Sequence, residues 1–68
     1  MIPRNRVVRG KLHKLYFYKT EGGIYPFIAR IVNEKGETQK KIGYEEMLSA
    51  KQLKAILRDY EKEILWNT

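Results

Sequence analysis

The sequence has no cysteine and a single histidine, His13. A disulfide framework is excluded, and because His13 has no cysteine or second histidine at ligand spacing, no structural metal site is expected. Long hydrophobic runs are also missing. No stretch approaches the roughly eighteen apolar residues of a membrane span, and the opening Met1-Ile2-Pro3-Arg4-Asn5-Arg6 has no apolar run behind it. The chain is therefore expected to be cytoplasmic, with no membrane partner. A glycine-rich phosphate loop is lacking too, since Gly22-Gly23 separates two strand-like segments and no helix amino terminus follows to receive a phosphate.

Catalytic groups are equally scarce. Acid–base or nucleophilic chemistry needs a group with a partner, and the chain offers one histidine, no cysteine, two serine or threonine positions in turns, and Ser49 at a helix cap. Glu45-Glu46 and Asp59-Glu61-Glu63 are neighbours or two apart, positions that do not face one another on a helix, so they read as solvated charge. The chain is expected not to be an enzyme and to carry no cofactor. Its 68 residues make one domain, residues 1–68, and a domain of this size buries only about 60% of the surface its unfolded chain exposes. Self-association commonly supplies the missing buried area, so a homodimer is expected.

One further absence points to a function. The first twenty residues contain no acid but carry Arg4, Arg6, Arg9, Lys11, Lys14 and Lys19, whereas from Glu21 onward eight basic residues face eight acidic ones. The formal charge of +6 thus belongs to one segment, as an electrostatic footprint for a polyanion would. Residues 1–9 are expected to form a flexible basic arm.

What is present reads as an α+β domain. Lys11 to Lys19 is rich in aromatic residues and ends in a glycine turn, which predicts a strand with Leu12, Lys14, Tyr16 and Tyr18 on one face and His13, Leu15, Phe17 and Lys19 on the other. A second strand is expected over residues 24–32, with Tyr25, Phe27, Ala29 and Ile31 on its apolar face and Pro26 marking an edge, a bulge or the strand's first residues. Asn33-Glu34-Lys35-Gly36 reads as a hairpin turn, and a third strand follows from near Glu37, bulged or weakened at Gly43. At 100° per residue Leu53, Ile56, Leu57, Tyr60 and Ile64 form one stripe, while Tyr44, Met47 and Leu48 would fall on the opposite side. The helix is therefore placed at Ala50 to about Leu65 behind the capping box Ser49-Ala50-Lys51-Gln52, with Tyr44 to Leu48 a short fourth strand or a turn. Trp66 is expected to pack over a sheet edge or a second subunit. The order is β-β-β-(β)-α, an antiparallel three- or four-stranded sheet with one carboxy-terminal amphipathic helix on one face and the other face free.

Basic residues interleave with aromatics, and that combination suits nucleic acid: cations neutralise phosphates while aromatic faces stack on unpaired bases, each stack contributing roughly 1–3 kcal/mol. The candidate contact residues are Arg4, Arg6, Arg9, Lys11, Lys14, Tyr16, Tyr18, Lys19, Arg30, Lys40 and Lys41. His13 is either a phosphate or base contact or a half-exposed strand residue.

Phe27-Ile28-Ala29-Arg30-Ile31, Glu34-Lys35-Gly36-Glu37, Lys40-Lys41-Ile42-Gly43 and Leu48-Ser49-Ala50-Lys51-Gln52-Leu53 together resemble the basic strand, turn, Lys-Gly segment and capped helix of the positive-cofactor-four-like family of small dimeric single-stranded DNA-binding proteins. That resemblance implies dimerisation through the helices and strand binding across the sheets, with Arg30, Lys40 and Lys41 at basic contact positions. Three strands followed by a helix, with Lys41-Ile42-Gly43-Tyr44 entering the helix region, are also similar to the duplex-reading domains of integrase arms and plant ethylene-response proteins. There the sheet enters the major groove, and a basic arm such as Arg4 to Arg9 reaches along phosphates or into a minor groove. The expectation is a non-enzymatic nucleic-acid-binding protein of phage, viral or mobile-element type. It would bind DNA rather than RNA and single strands before duplex, phosphates through the basic amino-terminal segment and bases through the free sheet face. A duplex-binding sheet domain and a small protein-interaction or inhibitor module are the alternatives.

Overall fold

Three turns set the topology. Thr20 closes the first long turn by donating its backbone N–H to the Pro26 carbonyl (2.8 Å) and its hydroxyl to the Tyr25 carbonyl (2.7 Å), and Gly22 supplies the positive φ of 75° that the bend requires. Asn33 organises the second: its Oδ1 accepts from the backbone N–H groups of Lys35 and Glu37, and Gly36 takes φ 82°. The third is a two-residue loop at Arg9-Gly10, with φ 53° and 79°, the double positive φ that lets antiparallel strands keep their twist across a tight hairpin.

These turns join four strands and a helix in the computed structural model, which describes residues 4–66. The elements are β1 (Arg4–Val8), β2 (Lys11–Lys19), β3 (Phe27–Val32), β4 (Thr38–Tyr44) and α1 (Ala50–Trp66). The strands form one antiparallel meander in the order β1-β2-β3-β4, so β2 and β3 are central and β1 and β4 are edges. In register, Leu15 pairs with Arg4 and Ile31, Phe17 with Ala29, and Ala29 with Ile42.

The face that carries these residues is covered by α1. Leu15, Phe17, Ala29 and Ile31 are buried against Leu57 and Tyr60, with Phe27, Tyr44, Leu53, Ile56 and Ile64 packed around them. Phe17 stacks on Phe27 (5.7 Å between ring centres) and meets Tyr44 edge-on at 6.5 Å. The capping box closes reciprocally: Gln52 N–H donates to Ser49 Oγ (3.2 Å) and Ser49 N–H to Gln52 Oε1 (2.8 Å). Among the described residues no helix is long and apolar enough to cross a membrane.

Four expectations need correction. The basic arm expected over residues 1–9 does not hold from Arg4 on, because Arg4–Val8 is a strand in full register with β2; residues 1–3 lie outside the described residues. Two contacts hold β1 down, Val8 at 1% exposure and an ion pair from Arg6 to α1. The fourth strand therefore stands at the amino-terminal edge and not at Tyr44 to Leu48, where Tyr44 ends β4 and the chain bends toward the helix. The irregularity in β4 falls opposite Ile31 and Val32 rather than at Gly43. Finally, of the two places expected for Trp66 the sheet edge is excluded, since the residue is 89% exposed on the single chain, and the second subunit remains.

Candidate nucleic-acid interface

Side chains alternate along each strand, so the register that puts Leu15, Phe17, Ala29 and Ile31 under the helix sends the intervening residues to the opposite face. From β2 these are Leu12, Lys14, Tyr16 and Tyr18; from β3 Ile28, Arg30 and Val32; from β4 Lys41 and Gly43. Tyr16 stands directly opposite Arg30, and Arg30 opposite Lys41, making one row across three strands. None of the strand residues is acidic; the acids are confined to the connecting segments and the helix. A negatively charged ligand on this face meets no carboxylate from the sheet itself.

Arg30 is held in place by its neighbour. Its guanidinium carbon lies 5.8 Å from the centre of the Tyr16 ring, within cation–π range, and its Nε is buried with no hydrogen-bond partner among the described residues. Beside this pair a shallow recess of about 190 Å³ opens between Leu12, Lys14, Tyr16, Val32 and the β3–β4 turn, whose Glu34 contributes the one carboxylate of its lining. Tyr25 comes to the same face from the long turn: its ring lies over Gly43, where any Cβ would collide with it. This gives Gly43 its structural role, the close approach of a side chain to bare backbone.

The eleven residues that the sequence singles out are not brought together. Lys14, Tyr16, Tyr18, Arg30 and Lys41 share the free face. Arg4, Arg6, Lys11, Lys19 and Lys40 fall on the helix side, and Arg9 sits in the β1–β2 hairpin. Two of the helix-side cations are already engaged. Arg6 binds Glu61 at 2.9 Å, and that hydrogen bond holds the Glu61 carboxyl below the usual carboxylate range and the Arg6 guanidinium above its own ordinary value. Lys40 pairs with Glu63 at 2.5 Å. Tyr25 is the aromatic that strand periodicity misassigned, because it precedes β3 and follows the turn rather than the pleat.

His13 is buried at 6% exposure, not half-exposed, and it lies beneath the helix, its ring 5.5 Å from that of Tyr60. Among the described residues no group of three or more His, Asp or Glu could hold a metal ion. The chain matches no protein-family model, no curated protein and no solved structure, so the interface is read from its own geometry.

Proposed function

We propose that the chain binds single-stranded nucleic acid, DNA foremost, across the open face of the sheet, whose strands carry no acid. The observation that carries this reading is the row Tyr16, Arg30, Lys41, in which an aromatic ring, an unpaired guanidinium and an ammonium lie side by side with no strand carboxylate beside them. Tyr16 and Tyr18 are two residues apart on one strand, which separates their rings by about 7 Å. That is twice the roughly 3.4 Å rise between stacked bases of one duplex strand, so successive rings suit bases already parted from one another. Phosphates then run over Lys14, Arg30 and Lys41, while the recess beside Tyr16 receives one base edge.

Titration of fluorescent single-stranded and duplex oligonucleotides of equal length tests this. Tyr16→Ala and Tyr18→Ala are each expected to weaken single-strand binding about tenfold, the equivalent of roughly 1.4 kcal/mol, and to change duplex binding far less. Tighter binding of the duplex, with both variants neutral on single strands, refutes it.

A further inference from the structure

We infer that a hollow on the opposite, helix-covered side of the sheet is a binding site for a small phosphorylated molecule with a flat or apolar body, of the size of a nucleoside monophosphate. The hollow has a volume of about 460 Å³ and lies at one end of the sheet, between the β1–β2 hairpin, the β3–β4 turn and the last turns of α1. That volume is within the range of small-molecule sites, which run from about 300 to 1,000 Å³.

Its lining has two chemistries. Val8, Ile64 and the Tyr60 ring give apolar wall. Around them Arg9 and Lys11 come from one hairpin and Lys35 from another turn, three cations against the single carboxylate of Glu34.

His13 supplies a polar group in the interior. Its Nδ1 lies 3.1 Å from the Lys11 carbonyl oxygen, which can only accept, so Nδ1 donates in that bond and Nε2 is the ring nitrogen left for another partner. Among the described residues no protein group donates to Nε2. Although His13 as a whole is 6% exposed, among the described residues the fully buried side-chain nitrogens and oxygens without a partner are Arg6 Nε and Arg30 Nε, so Nε2 retains solvent contact and is open to a hydrogen bond from whatever fills the hollow. Arg9 adds a second sign of a built site. It takes φ 53°, a conformation that a residue with a Cβ adopts at a cost, in a hairpin position where asparagine or glycine would be relaxed. The hairpin that requires this conformation leaves Arg9 lining the hollow.

The inference does not depend on the sheet-face reading, because the two sites lie on opposite sides of the sheet. The experiment is a ¹H–¹⁵N NMR titration of the full chain with AMP and CMP, beside adenosine and inorganic phosphate. Both nucleotides are expected to saturate below about 1 mM and to move the signals of Gly10, His13 and Tyr60, with adenosine and phosphate each binding at least tenfold more weakly. Arg9→Asn should raise the melting temperature yet weaken nucleotide binding about tenfold; Lys11→Ala, at an exposed position, should weaken it without unfolding the chain; Lys41→Ala should leave it unchanged. A 5′-phosphorylated oligonucleotide that displaces AMP identifies a strand end as the ligand, and one that does not identifies the free nucleotide. Failure to saturate, equal binding of phosphate or adenosine alone, or shifts confined to Tyr16, Arg30 and Lys41 overturns the inference.

Discussion

Replacing Lys14, Arg30 and Lys41 together by alanine is expected to abolish most of the salt dependence of single-strand binding. The magnitude follows from the register. These three cations project from the free face, whereas Arg6 and Lys40 project from the other and are engaged by Glu61 and Glu63. Each phosphate neutralised on a single strand adds about 0.7 to the slope of log affinity against log salt, so three contacts give a slope near −2. Raising salt from about 50 to about 200 mM should then weaken the unaltered chain roughly twentyfold and the triple variant hardly at all. The six cations of the first twenty residues, taken as one footprint, would instead give a slope near −4. Fluorescence anisotropy with a labelled oligothymidine, repeated at four salt concentrations, measures the slope directly. The control is Arg6→Ala with Lys40→Ala, which should keep the slope near −2 although two ion pairs are lost. A control variant that flattens the slope as much as the triple variant does, or an unaltered slope near −4, refutes the assignment of phosphate contact to the free face.

Gly43→Ala forces the Tyr25 ring and its Cβ to move, and because the collision reaches close to the Tyr25 backbone the cost should be about 1–2 kcal/mol in urea unfolding, with Tyr25 displaced from the face. Stability unchanged by the substitution would mean that the ring does not rest on this glycine. The ion pair between Arg6 and Glu61 gives a pH signature. The hydrogen bond from Arg6 lowers the folded-state value of Glu61, so its contribution is present above the ordinary unfolded value of about 4.3 and is lost as pH falls through the lowered folded value. Arg6→Ala should therefore be less stable than the unaltered chain at neutral pH, with the gap closing in acid; a gap that persists at the acid end contradicts the pairing.

Much of the fold was legible because it depends on local pattern. The aromatic run Lys11 to Lys19 appears as β2 with the same bounds, and its two faces divide as period two requires. The stripe Leu53, Ile56, Leu57, Tyr60 and Ile64 defines the packed side of α1, and the Ser49 capping box starts it. Strand β1 was not legible. Arg-Asn-Arg-Val-Val has weak alternation, and Arg9-Gly10 carries glycine at only one of the two positions that need a positive φ. What makes it a strand is pairing with β2 and the contacts of Val8 and Arg6 beneath the helix, none of which is local in sequence. Tyr25 escapes the strand pattern for a related reason: it lies in the turn before β3, and period two has no physical basis outside a strand.

By itself the sequence determined the residue types of the candidate interface, basic and aromatic, and it determined the β-rich, helix-terminated order, since both follow from residue type and short-range period. Only the tertiary structure decided which charges act together. Charge counted along the chain marks residues 1–20 as one basic segment, but pleating sends alternate residues to opposite faces, and the helix then engages Arg6 and Lys40 on one of them. The acid-free row of Tyr16, Arg30 and Lys41 joins residues from three strands, and no linear reading could assemble it because register alone makes them neighbours.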